Sequence, residues 1–312
     1  MRHILWLAST HARLCLMLGL AAGLLLPNAA ASMVPWLPLM VAGLLTTTAL
    51  RIGHRAAFGT LGDIRFGLAA VIVLQTAVPI ILVASLIAMG LGQTPAALAI
   101  AFAAAAPAIT GSINLALIMK LDAGRMMQVF VLGTAAFPLT VLPVLALLPQ
   151  LGPPSEIVFA ALRLLGVITL ATALGFGLRA LLFPRPSPGQ IKALDGLSVL
   201  AFCVIVVGLM AALNPALKAD PWAVLSWALL AFGIGYGLQV FTLLALRRTA
   251  RRDIAGVLAL GAGNRNIAIF LVALPPDTIA PLMVFIGCWQ LPMYLTPILL
   301  PRLYAWALHD DN

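Results

Sequence analysis

Charge is the scarcest commodity in this chain. Asp, Glu, Lys and Arg together make up 9% of the 312 residues, against 63% hydrophobic ones. A water-soluble domain carries about 25% charged residues, so soluble enzymes, nucleic-acid modules and secreted scaffolds are excluded. Cysteine is almost missing: Cys15, Cys203 and Cys288 are odd in number and lie in apolar runs. They read as small hydrophobic residues, not as a disulfide frame or a metal site. Catalytic signatures are missing as well. There is no HExxH motif, no GxSxG motif and no pair of carboxylates inside an apolar run. Neither an enzyme activity nor a cofactor is expected.

What the sequence has instead is long apolar stretches. A membrane-spanning helix needs about 20 predominantly apolar residues. Ten such stretches are predicted, at 13–27, 33–50, 66–91, 94–119, 126–149, 156–183, 192–217, 221–246, 253–274 and 277–307. The net charge of +9 is not a nucleic-acid footprint, because the basic residues sit in clusters between the runs. Arg51, Arg55 and Arg65, then Lys120 and Arg125, then Arg185 and Lys192, then Arg247 to Arg252 follow the second, fourth, sixth and eighth runs. The intervening loops are nearly free of positive charge. The positive-inside rule then predicts a multi-pass protein of the cytoplasmic (inner) membrane, with the lipid bilayer as partner and both termini in the cytoplasm. The first run, with Arg2 and His3 before it and Ala29 to Ala31 after it, imitates a signal peptide. Its removal would break the even span count, so it is expected to remain as the first span.

Two stretches echo each other. Pro138 and Pro143 follow Asp122 in FPLTVLP, and Pro292 and Pro297 follow Asp277 in LPMYLTP. Each echo is preceded by an interrupted span, at PAITGSIN (107–114) and at GAGNRN (261–266). The expected fold is therefore all-α, with ten transmembrane helices in two inverted five-helix repeats, residues 1–150 and 156–312. Its fourth and ninth helices are broken and cross. Inverted repeats with matched breaks point to the binding site of a secondary transporter.

Unwound backbone survives at membrane depth only against protein or a water-filled cavity. Thr110, Ser112 and Asn114 follow the first break, and Asn264, Arg265 and Asn266 lie in the second. Arg265 is the sharpest residue of the chain, since a central arginine costs about 2.5–3.5 kcal/mol to insert. All nine acidic residues lie in loops, near span ends or at the C-terminus. Carbonyls freed by the break, the end of a half-helix and an anionic ligand all remain as partners for it. Clamping of the crossover and attraction of an anionic substrate are both open. Gln75, mid-span and followed by Pro79, reads either as an interhelical hydrogen bond or as part of the site. Arg163 reads as a snorkelling side chain, and Thr134, Thr140 and Thr296 as bonded back to their own helices. Trp289 and Gln290 carry little signal.

With these residues assembled, the chain resembles the bile acid–sodium symporter family and its bacterial relatives. The resemblance rests on Gln75 with Pro79, on Pro107 through Ile113 followed by Asp122, and on Gly261 through Asn266. It implies ten spans in five-plus-five inverted repeats, broken fourth and ninth helices crossing at the midplane, and core and panel domains each built from both repeats. It further implies a secondary transporter of an organic anion, with Arg265, Asn264, Asn266, Thr110, Ser112, Asn114 and Gln75 around the substrate. The departures concern sodium. Ile113 stands where the family has a ligating Asn, Met126 and Phe130 where it has hydroxyls, Gly261 where it has Glu and Arg265 where it has Gln. Sodium coupling is not expected, because a fixed guanidinium nearby opposes a bound cation. Arg265→Gln is expected to weaken anion binding and leave the protein folded. A sodium-coupled symporter with a reduced ion site and a non-transporting membrane sensor are the competing readings. No metal is expected.

Overall fold

The computed structural model describes residues 2–59 and 64–308, and these are helical nearly throughout. The element order is α1 (Arg2–Thr10), α2 (Ala12–Leu25), α3 (Pro27–Ile52), α4 (Ile64–Ala88) and α5 (Pro95–Ala105). Next come α6 (Ser112–Ile118), α7 (Ala123–Thr140), α8 (Pro154–Leu182), α9 (Pro188–Ala219) and α10 (Pro221–Arg247). The chain ends with α11 (Arg252–Gly263), α12 (Phe270–Ala273), α13 (Pro276–Leu299) and α14 (Pro301–Leu308). Proline opens helix after helix, at 27, 95, 154, 188, 221, 276 and 301. Its missing N–H is one that a first turn leaves unpaired in any case. Side-chain caps set other starts. Thr94 accepts from the Ala97 N–H, Asp122 from the Arg125 N–H, and Ser187 forms a capping box with Gln190.

Among the described residues six helices are long and apolar enough to cross a membrane: α3, α4, α8, α9, α10 and α13. The protein is a polytopic helical membrane protein. The other expected spans take shorter or broken forms. The first is a pair of helices bent by 91°. The fifth run stops at Thr140, two residues after Pro138, and continues only as a single turn, Leu142–Leu145, which has Pro143 at its start. The fourth and ninth are interrupted where the sequence places PAITGSIN and GAGNRN.

The chain divides into two compact units, and each draws on both halves of the sequence. One comprises Met1–Phe58, Arg163–Trp227 and Ala268–Gln290. In it α1, α2 and α3 pack along α9. The approach is close enough that a Cβ at Gly196 would strike the Leu5 carbonyl. Arg51 pairs with Asp195, and Trp6 donates to the Gly189 carbonyl at 3.1 Å. Trp289 and Gln290 also belong here. Trp289 is fully buried against Phe285, which makes it core and not an interfacial anchor.

The other unit comprises Gly59–Leu162, Ala228–Ile267 and Leu291–Asn312. Its innermost pieces are the two half-length helices. Ala99 and Ala101 through Ala106 are all at 0% exposure, and α11 is buried from Val257 through Gly263 except for Leu258. A helix buried on every side reads as apolar all round, as α5 does. Eleven residues of α5 rise about 16 Å, roughly half a bilayer core. Both short helices therefore end deep inside, and what they end against defines the site.

Candidate functional site

The two breaks lie on each other. Ala108 and Arg265 face one another in an isolated antiparallel bridge. The Ile109 N–H donates to the Asn264 carbonyl at 3.0 Å, and the Asn266 N–H to the Pro107 carbonyl at 2.8 Å. Each unwound segment thus supplies the backbone partners that the other lost, as burial away from water demands.

The bridge leaves a ring of carbonyls without backbone donors, and Arg265 collects them. Asn266 would serve the Ala262 carbonyl in a continuous helix, but its N–H is turned to Pro107. Ala106 closes α5, so its carbonyl has no next turn. The third carbonyl comes from α4, where Val73–Ala77 is a π-helical segment. There the Val78 N–H bonds the Val73 carbonyl, and Pro79 has no N–H to offer, so the Leu74 carbonyl is left over. The guanidinium donates from Nε to Ala262 at 2.9 Å, and through its two terminal nitrogens to Ala106 at 3.0 Å and Leu74 at 2.8 Å. Two of those carbonyls end helices, and a helix C-terminus carries about half a negative charge. Two together match one guanidinium. Of the partners open on the sequence, freed carbonyls and half-helix ends are the ones this structure uses, and the side chain is 1% exposed.

Asn264, also fully buried, is committed to a second network. Its Nδ2 donates to the Leu260 carbonyl, and its Oδ1 lies 3.3 Å from the Thr296 hydroxyl. Thr296 accepts from Gln239 Nε2 at 3.3 Å, and Gln239 Oε1 accepts from the Tyr304 hydroxyl at 2.8 Å. Gln75 has a parallel role in the first half of the chain. It is 1% exposed, accepts from the Thr140 hydroxyl at 3.2 Å and packs where a Cβ on Gly133 would sit. The interhelical bond read for Gln75 is present. A Gln on one helix and a Thr beside a helix proline thus join in both halves. Gln239 and Tyr304 escape the sequence reading, although a mid-span Gln ahead of the second proline pair was visible.

The remaining predicted residues lie at the first break or flank the bridge. The Thr110 and Ser112 hydroxyls are buried and have no partner among the described residues, and such groups point to water or a ligand. Asn114 and Asn266 are half-buried. Thr140 and Thr296 do bond back to Phe137 and Pro292 while also reaching across, whereas the Thr134 hydroxyl finds no partner. Arg163 is exposed. At four of the five positions where the resemblance expects other residues as sodium ligands, all but Arg265, the residues are apolar. A Cβ on Gly261 would meet Met126 and Val129 at 3.5 Å, and Met126, Phe130 and Ile113 are all buried. Leu74, Ala262 and Arg265 also form the inner end of a cavity of about 580 Å³ between α4 and α10, floored by α11. No protein-family model matches the chain, and no curated protein sequence matches it.

Proposed function

We propose that the chain is a secondary transporter that moves a small organic anion by alternating access and without sodium, on the plan of the bile acid–sodium symporters. The observation that carries the reading is the mutual pairing of two helix breaks around a buried guanidinium. Discontinuous helices meeting at depth are the arrangement from which transporters build substrate and ion sites. In this reading residues 1–150 and 156–312 are inverted repeats, which the Gln75–Thr140 and Gln239–Thr296 bonds support. The two units, each drawn from both halves, are the bodies that rock. Both termini face the cytoplasm, on the loop charges.

Arg265 then does permanently what a bound cation does in sodium-coupled relatives. It neutralises the carbonyl ends of the crossover, so an anion at the neighbouring hydroxyls and amides meets no net negative charge there. Thr110 and Ser112, with hydroxyls unpartnered, and Asn114 and Asn266, half-buried, are the residues assigned to the substrate. Asn264 and Gln75 hold helices together. The packing of Met126 and Val129 against Gly261 speaks against a reduced sodium site.

The test is uptake into proteoliposomes of a panel beginning with taurocholate, pantoate and pyruvate, with sodium or choline outside. Saturable uptake of one anion, equal in both salts, is the expected result. A steep sodium dependence removes the uncoupled mechanism. A thermal shift with no uptake of the same anion makes the protein a membrane sensor.

A further inference from the structure

We propose that the cavity between α4 and α10 is a binding groove for an anionic phospholipid of the cytoplasmic leaflet. The reading is independent of transport, since a protein that moved nothing across the membrane would still carry the groove.

The groove has a charged mouth and an apolar body. Arg65 lies in the first turn of α4 and Arg251 sits just before α11, and both line the cavity. Both are exposed, and neither guanidinium makes a hydrogen bond or ion pair with the described residues. Among the described residues no acidic side chain lines the cavity. Two guanidiniums lining one cavity, without an acidic partner among the described residues, suit a phosphate, which arginine engages in a bidentate fork.

Inward from that mouth the walls are Phe66 and Val73 on α4, Phe241 on α10 and Leu258 on the α11 floor. The one wall hydroxyl, Thr242, is spent on the Leu238 carbonyl of its own helix at 2.7 Å. At the far end Arg265 is already committed to three carbonyls, so the anionic group belongs at the outer pair. Val73 and Phe241 are 50% and 68% exposed, so the groove opens sideways, where a bilayer presents acyl chains. Arg65, in the first turn of α4, and Arg251, just before α11, lie at helix ends that the positive-inside distribution assigns to the cytoplasm, the leaflet that carries anionic headgroups. A basic pocket between helices on that side is where anionic headgroups are held. A soluble anion would satisfy the mouth but leave the apolar body empty, which favours the lipid.

Native mass spectrometry of the full chain, titrated with dioleoyl phosphatidylglycerol or dioleoyl phosphatidylcholine, tests this. The chains are identical, so any difference belongs to the headgroup. Phosphatidylglycerol is expected to bind more tightly, and Arg65→Gln with Arg251→Gln to weaken it about thirtyfold, the product of two surface charges. The control pair Arg55→Gln with Arg185→Gln, exposed residues outside the groove, is expected to change nothing. Ala69→Trp with Ala245→Trp fills the groove with both guanidiniums intact and is expected to weaken phosphatidylglycerol binding as well. All four substituted arginines are exposed, and unaltered melting in lipid-free detergent checks that the variants fold. Equal binding of the two lipids, or equal effects of the groove and control pairs, overturns the proposal. Displacement by excess glycerol 1-phosphate also overturns it and makes the mouth a site for soluble anions.

Discussion

One hydrogen bond of 2.8 Å ties the guanidinium of Arg265 to the carbonyl of Leu74, 191 residues earlier in the chain. Each group would be untenable alone. The carbonyl is unpaired because α4 locally widens into a π-helical segment ahead of Pro79. The guanidinium is far from water, at 1% exposure. Two local irregularities, in helices far apart in sequence, thus cancel at one contact.

That contact revises what substitution of Arg265 does. If the side chain only attracted substrate, Arg265→Gln would leave stability untouched. Instead it strands carbonyls from three backbone segments, at about 1–3 kcal/mol for each one left dry. Thermal unfolding in detergent is expected to show Arg265→Gln destabilised by roughly 3 kcal/mol or more. Arg265→Lys is expected to fall between, because an ammonium on a single stem cannot span the fork of three acceptors. Wild-type melting in both variants would place the clamp elsewhere.

Glycine at 263 is required by approach, not by dihedral. A Cβ there would run into the Gly235 carbonyl and Gln239 on α10. Gly263→Ala is expected to lower stability by about 1–3 kcal/mol, as overpacking does. Gly233→Ala, two residues before Gly235 on the same helix with open space around it, is expected to be neutral or to gain up to about 1 kcal/mol of helix propensity. The pair of melting temperatures separates a packing role from a general intolerance of α10.

The breaks themselves were legible because proline and glycine interrupt apolar runs visibly, at Pro107 and at Gly261 and Gly263. Arg265 was legible because a charge in hydrocarbon demands a partner. The partner's identity was not, since it consists of backbone carbonyls and no side chain announces them. Only Pro79 hinted that α4 would have one to spare. Helix length was not legible from the proline pairs, since Pro292 and Pro297 lie inside the continuous α13 while the run with Pro138 and Pro143 is one helix and a single turn. Gln75 showed on the sequence as a polar residue in lipid, but its partner, Thr140, depends on the rotation of α4. That rotation is a packing outcome.

The chain Asn264–Thr296–Gln239–Tyr304 makes a second prediction about the crossover. Thr296→Val keeps the shape but removes a hydroxyl that serves both Asn264 and Gln239. Two buried amide groups lose a partner, so a cost of about 2–4 kcal/mol is expected. Adding Gln239→Leu should cost less than the sum of the two single variants, because both disrupt one network. Additive losses in the melting data would show that the two residues act separately.

Sodium is the sharpest test of the proposal that Arg265 takes the place of a bound cation. A cation site at the crossover requires oxygen ligands, and hard cations favour carboxylates among them. Here a Cβ on Gly261 would meet Met126 and Val129 at 3.5 Å, so the nearest neighbours of a side chain at this position are apolar. Arg265→Gln alone vacates the charge and exposes the Leu74, Ala106 and Ala262 carbonyls. Gly261→Glu supplies a carboxylate, and Met126→Ser clears its path and adds a hydroxyl. The triple variant is expected to melt at a higher temperature in sodium chloride than in choline chloride, and the wild type equally in both. A bound ligand raises stability only through the state that holds it, so the difference reads occupancy directly. If wild-type protein already shows the sodium shift, the guanidinium is not standing in for the ion. If the triple variant shows none while remaining folded, the carbonyl ring is built for a planar fork and cannot serve a spherical cation.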